Sequence, residues 1–262
     1  MCQKICLFCI FLLVITQATY TQDNNFESID GIHIAYIDEG EGEPVLLLHG
    51  FLNTKKAWNK TLLKKDLLNA GYRVIIPDLR GNGDSDKPQE EKAYQNNAEV
   101  KDLVLLMSYL NIKKYKAIGY SRGSIVLAKL LAEDKRIEKA VLGGMGIDFT
   151  NPQWDRRIMF AKAFDGDVNE ITKGAVEYAK SINADMRSLH LQQKYQPVTS
   201  IEELRKIEIN VLVICGDEDS DNGNATALMQ VFKNGSFVNV PGDHNGTYRT
   251  ANFSNEILKF LK

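Results

Sequence analysis

Cysteine is scarce in this chain of 262 residues and is unevenly placed, with three of the four cysteines (Cys2, Cys6 and Cys9) in the first nine residues. Cys215 stands alone in the remainder, so once the leading segment is set aside no internal disulfide can form, and the fold must rest on its core. The simplest reading of Cys215, within Val211-Leu212-Val213-Ile214-Cys215, is a small buried strand residue rather than a catalytic thiol. Charge of one sign is also lacking. With 34 acidic against 32 basic residues and a net charge of -2, there is no electrostatic footing for nucleic acid as a partner. The lysines at 55, 56, 60, 64 and 65 are expected to form a solvated helix face, with Leu62, Leu63, Leu67 and Leu68 on the apolar side.

Long apolar runs are missing too. The longest, Ile5 to Ile15, follows Lys4 and is too short to span a bilayer. A basic start, a short apolar stretch and small residues through Thr16-Gln17-Ala18 fit a secretory signal peptide, residues 1–18. The expectation is an exported protein, periplasmic or secreted, with no stable membrane span. Five Asn-x-Ser/Thr sequons occur, at Asn59, Asn224, Asn234, Asn245 and Asn252. A glycan at Asn245 would crowd the base proposed below, which favours a bacterial source.

What the chain does contain is a strand–helix alternation. Phe26 to Tyr36 suits two strands turning at Asp30-Gly31. Pro44 to Leu48, Tyr72 to Ile76, Tyr115 to Gly119, Ala140 to Leu142 and Val211 to Cys215 are runs without polar alternation, as expected for strands buried on both faces of a parallel sheet. Between them lie helix-period stretches at Ala57 to Leu68, Ala98 to Leu110 and Ile125 to Ala132. This predicts an α/β fold: a mostly parallel twisted sheet with helices on both faces. The alternation fails between 150 and 207, where helix-like stretches such as Trp154 to Phe164 suggest a helical cap inserted in a core of 26–149 and 208–262. A helix near Ala225 to Phe232, a strand near Phe237 to Val240 and a helix from Asn255 to Leu261 close the chain.

Chemistry-bearing residues fall where strands end, the edge at which open parallel sheets bind ligands. Gly119-Tyr120-Ser121-Arg122-Gly123 lies between a strand and a helix. A nucleophile on so sharp a turn needs small neighbours two residues away on each side. The plain alternative is a serine that only caps the helix. Gly242-Asp243-His244 supplies an imidazole to take the serine proton, and the order serine, acid, histidine suits this arrangement. Asp217, Glu218, Asp219 and Asp221 all remain candidates for the carboxylate that orients it. The N–H groups of Phe51 and Arg122 are the expected oxyanion donors. His49 reads as a loop brace rather than a second base.

Taken together, these segments resemble the α/β-hydrolase superfamily, in its group of small, lid-bearing, esterase-like members. The resemblance is carried by His49-Gly50-Phe51 with Trp58 downstream, by the run Pro77 to Pro88, by the Ser121 elbow, by Gly216 to Asp219 and by Gly242-Asp243-His244. It implies nucleophile, acid and base at Ser121, Asp219 and His244, and oxyanion donors at Phe51 and Arg122. It also implies a cap over the site from Thr150, with residues such as Trp154, Met159, Phe160 and Phe164 available to line a pocket. Neither cofactor nor metal is expected; the partner is a small ester-like molecule. Asn82 departs from the usual histidine of the R-G-x-G segment, as a structural change. Arg122 departs more interestingly: its guanidinium could select an anionic substrate, or pair with an acid such as Asp217 or Asp243.

The expected chemistry is hydrolysis of a carboxylic ester, thioester or lactone through an acyl-serine. The alternatives are C–C bond hydrolysis or perhydrolysis by the same triad, or a non-catalytic ligand receptor on the same fold. Relatives that open epoxides or displace halide use an aspartate nucleophile, which Ser121 is not.

Overall fold

In the computed structural model, residues 23–28 and 30–262 are described. The expected signal peptide and Cys2, Cys6 and Cys9 lie outside them. Strands β1 (Asp23–Glu27) and β2 (His33–Glu39) form an antiparallel hairpin. Its turn is closed by Gly31, whose φ of 78° suits a residue without a side chain. The other strands are β3 (Pro44–Leu48), β4 (Arg73–Pro77), β5 (Tyr115–Tyr120), β6 (Ile137–Gly143), β7 (Asn210–Gly216) and β8 (Gly235–Val240). They make one sheet of order β1-β2-β4-β3-β5-β6-β7-β8. β2 runs antiparallel to β4, and from β4 to β8 every pairing is parallel.

The unbroken apolar runs are explained by the two cores they serve. Leu46, Leu48, Ala117, Val211 and Val213 face one core, whereas Val45, Leu47, Ile118, Leu212 and Ile214 face the other. A strand covered on both sides has no solvated face for polar residues to occupy. The first core is closed by α2 (Ala98–Tyr109), α3 (Arg122–Glu133) and α8 (Ala225–Val231). The second is closed by α1 (Leu62–Asn69) and α9 (Ala251–Leu261), through Leu63, Leu67, Ile257 and Leu261.

Between β6 and β7 lie α4 (Asp155–Phe164), α5 (Lys173–Ser181), α6 (Met186–Lys194) and α7 (Ile201–Arg205). Phe164, Val176, Ala179 and Leu189 form a separate small cluster, against which Phe51, Leu52 and Phe160 pack. Leu204 of α7 and Ile207 instead join the first large core.

Two of the five clustered lysines depart from the expected solvated face. Lys55 is fully buried; its Nζ pairs with Asp78 at 3.0 Å and with Asp84 at 2.5 Å, and its N–H donates to Asp78 at 2.6 Å. Lys64 is buried with its Nζ 2.9 Å from Glu39. The segment also breaks into a 3-10 turn (Lys55–Lys60) followed by α1, rather than one helix from Ala57. Only long-range carboxylates make these burials possible. Replacing Lys55 by Met is therefore expected to lower stability by about 3 kcal/mol, because Asp78 is left buried without its cation. Lys65→Met, on the exposed side, is the control; equal urea midpoints for the two variants would contradict the assignment.

Candidate active site

The turn at Ser121 is built by close packing of backbone. Ser121 has φ 54° and ψ −123°, a conformation that an L-residue holds only under constraint. A Cβ on Gly119 would lie 2.5 Å from the Gly123 carbonyl oxygen, and one on Gly123 would lie 2.4 Å from that of Leu48. The two glycines are thus required by each other and by β3. The Ser121 side chain makes no capping bond to α3, which excludes the plain capping role. Its Oγ instead lies 2.9 Å from Nε2 of His244.

Past the end of β8, His244 places its Nδ1 2.8 Å from Oδ2 of Asp219, which follows β7 and is almost fully buried. The neighbouring acids are engaged elsewhere. Asp217 accepts from the Gly242 N–H at 2.9 Å, and Asp221 stands 3.7 Å from Arg156. The structure thus brings Ser121, His244 and Asp219 together and leaves Asp217 and Asp221 apart from the imidazole.

The imidazole is also held from the side. The Tyr120 hydroxyl donates to the His244 carbonyl oxygen at 2.7 Å, and the two rings lie 5.5 Å apart. Tyr248 packs on Tyr120, and buried Trp58 meets Tyr248 edge-on. Burial and the nearby Asp219 charge keep the Tyr120 phenol above its ordinary pKa, so it stays a donor. Asn222 sits beside the ring, with Nδ2 3.4 Å from Nδ1 of His244 while donating to the Gly144 carbonyl at 3.1 Å. Neither Tyr120 nor Asn222 carried a sequence signal of its own.

His49 does brace its loop. Nδ1 donates to the Gly50 carbonyl at 2.8 Å, and Nε2 accepts from the Leu79 N–H at 3.1 Å. Burial pushes its pKa below the ordinary value, so the ring is neutral. Gly50 lies against Ser121, since a Cβ there would be 3.3 Å from the serine Cβ. Phe51 therefore follows directly beside Ser121. Among the described residues neither the Phe51 nor the Arg122 N–H meets a protein acceptor. Arg122 opens α3, where the first N–H groups have no intrahelical partner.

Arg122 makes the pair with an acid that was one of the two expectations for it, but with Glu99 rather than Asp217 or Asp243. Its guanidinium is buried in a two-pronged pair with Glu99 of α2, at 2.9 and 2.5 Å, and donates to the Gln192 carbonyl at 3.1 Å. Asp217 and Asp243 take no part. Glu99 cancels the charge, so the arginine ties α3 to α6 rather than presenting a free cation.

Two hollows meet at Ser121, His244, Phe51, Phe160 and Arg156. The inner one, about 80 Å³, lies under α4 and is lined by Ile125, Met145, Trp154 and Arg157. The outer one, about 520 Å³, is lined by Leu52, Tyr178 and Asn245, and both hollows open to solvent. Among the described residues, no group of three or more His, Cys, Asp or Glu side chains is arranged to hold a metal ion, and no helix is long and apolar enough to cross a membrane.

The family profile for the alpha/beta hydrolase fold matches residues 43–173. A candidate non-heme chloroperoxidase of Synechocystis sp. is 40% identical over 113 residues, 42% of this chain and 40% of the relative. Epoxide hydrolase 3 of Siraitia grosvenorii is 42% identical over 95 residues, 36% of this chain and 29% of the relative. Both matches span less than half of the relative's length. Among solved structures, an esterase from Exiguobacterium antarcticum superimposes with a TM-score of 0.79 at 20% identity, covering 92% of this chain and 99% of that one. At that identity the likeness is one of fold.

Cys215 lies close to this site without belonging to it. Burial, with the nearby Asp219 charge, pushes its thiol up to about 11. The group is then a neutral thiol at about pH 8, where only a thiolate would react. Iodoacetamide should leave Cys215 unmodified in the native protein and alkylate it after unfolding, read by peptide mass. Native alkylation at the rate of a free thiol would contradict this.

Proposed function

The chain belongs to the alpha/beta hydrolase fold family, and on that premise we propose that it hydrolyses small carboxylic esters or thioesters through an acyl-Ser121 intermediate. The observation that carries this reading is the continuous chain from Asp219 Oδ2 to His244 Nδ1 (2.8 Å) and from His244 Nε2 to Ser121 Oγ (2.9 Å). His244 takes the serine proton as Oγ attacks the carbonyl carbon, and Asp219 holds the tautomer that leaves Nε2 free to accept it. The negative charge that develops on the carbonyl oxygen meets the Phe51 and Arg122 N–H groups. His244 then returns the proton to the departing alcohol, and the same steps with water release the acid.

Serine rather than aspartate at the elbow supports acyl transfer over the epoxide opening named for the Siraitia relative. Attack on an alkyl carbon leaves an ester when a carboxylate attacks, but an unreactive ether when a hydroxyl does.

The two hollows support an assignment of substrate halves. The acyl group occupies the inner hollow of about 80 Å³ and the leaving group occupies the larger outer one. On the same reading the protein acts outside the bacterial cytoplasm. Asn245 is exposed at the outer mouth, where a glycan would stand in the way of substrate.

A p-nitrophenyl ester series is expected to peak between acetate and butyrate and to fall about tenfold by octanoate, because extra methylenes exceed the inner space. Ser121→Ala should lower kcat/KM by about 10⁴-fold or more, with the fold retained by circular dichroism. Rates that rise steadily to octanoate, or a fully active Ser121→Ala, would contradict the reading.

A further inference from the structure

The inner hollow has more cationic lining than it has carboxylate to cancel it. Three arginines line it: Arg122, Arg156 and Arg157. Glu99 neutralises Arg122 at 2.5 Å, and Asp221 stands 3.7 Å from Arg156. Arg157 has no carboxylate partner among the described residues. The side chain is half-buried, and at its exposed end the NH1 and NH2 groups donate to the carbonyl oxygens of Lys194 and Pro152, which are neutral acceptors. Its Nε–H is buried with nothing to accept it. Burial lowers the pKa of the group, and no acid opposes that shift.

Gln196 lines the same hollow. It is 5% exposed, and its Nε2 is likewise buried without an acceptor. Arg157, a cation without a carboxylate partner, and Gln196 thus line a space bounded also by Ile125, Met145, Trp154 and Phe160, with Ser121, Asn222 and His244 among its polar lining. A cation that lines a hollow without a carboxylate partner favours a ligand that brings the opposite charge. A neutral alkyl chain would leave that charge unmatched. A carboxylate supplies up to four acceptor positions and the opposite charge.

We propose that Arg157 and Gln196 form an anion subsite at the far end of the acyl pocket, and that the preferred substrate is a monoester or monothioester of a short dicarboxylic acid. This deepens, and rests on, the assignment of the inner hollow to the acyl group. At about 80 Å³ the space holds on the order of six waters. That room suits an acyl chain of roughly the length of succinyl, with its free carboxylate against Arg157 and its ester carbonyl at Ser121. Anion selection thus belongs to Arg157 of the cap rather than to Arg122 beside the nucleophile, which Glu99 has already neutralised.

Monoethyl succinate and ethyl butyrate differ only at the end of the acyl chain. The full chain should turn over the succinate monoester with kcat/KM about tenfold or more above that for butyrate, mainly through KM. Arg157→Met should abolish that ratio, and Arg157→Lys should restore part of it because the charge returns without the fork. A wild-type preference for butyrate, or an undiminished ratio in a folded Arg157→Met, overturns the subsite. Calorimetry on Ser121→Ala separates this from the hydrolase reading. If the wild type cleaves neither ester while Ser121→Ala still binds the succinate monoester more tightly than the butyrate, the subsite stands and hydrolysis falls. If ethyl butyrate alone is cleaved and monoethyl succinate neither binds nor reacts, hydrolysis stands and the subsite falls.

Discussion

The site depends first on a backbone contact. Where β5 turns into α3, the chain passes so close to itself that Gly119 and Gly123 leave no room for a Cβ on either residue, and Gly123 is pressed against the Leu48 carbonyl of β3. That packing holds Ser121 at a φ of 54°. It denies the hydroxyl its ordinary role as a helix cap and aims it at His244, 2.9 Å away. The strain is local, but the sheet sustains it, because β3 and β5 are neighbours with both faces covered by core. The same turn frees the Arg122 N–H at the start of α3 and sets it beside the loop that carries Phe51.

Around this turn the charges are arranged in layers. Beside Ser121, Arg122 and Glu99 cancel in a buried pair that links α2, α3 and α6. In the same hollow, Arg156 keeps a long contact with Asp221, and Arg157 donates to carbonyl oxygens alone. Of the three arginines there, Arg157 has no carboxylate partner among the described residues. Aromatic packing does the remaining positioning: Trp58, Tyr248 and Tyr120 form a continuous wall behind the imidazole, and Phe160 and Phe164 of α4 pack on Phe51.

Much of this was legible from residue patterns, for identifiable reasons. Strands covered on both faces cannot alternate, so their apolar runs marked β3, β4, β5, β6 and β7 to within a few residues. The elbow was legible because its glycines answer to a contact four residues apart in the chain. Contacts between distant segments were not. The burial of Lys55 depends on Asp78 and Asp84, and that of Lys64 on Glu39, at separations that no local pattern encodes. Glu99 lies 23 residues before Arg122, on a helix whose local pattern is an apolar stripe. The helix α6 leaves little pattern because its buried face carries Ser188, His190, Gln192 and Gln193, so apolar periodicity is weak there. Asp219 could be told from Asp217 and Asp221 by resemblance alone, and it is geometry that sets its carboxylate against the imidazole.

Proton transfer from Ser121 to His244 underlies the proposed chemistry, and a fluorophosphonate probe reads that step without any knowledge of the substrate. Incubated with the full chain, the probe should add a single adduct by intact mass, mapped to the peptide that contains Ser121, and His244→Ala should slow its formation by about a thousandfold or more. Unlabelled protein under conditions that saturate a control esterase, or an adduct that forms equally fast without His244, would contradict the account.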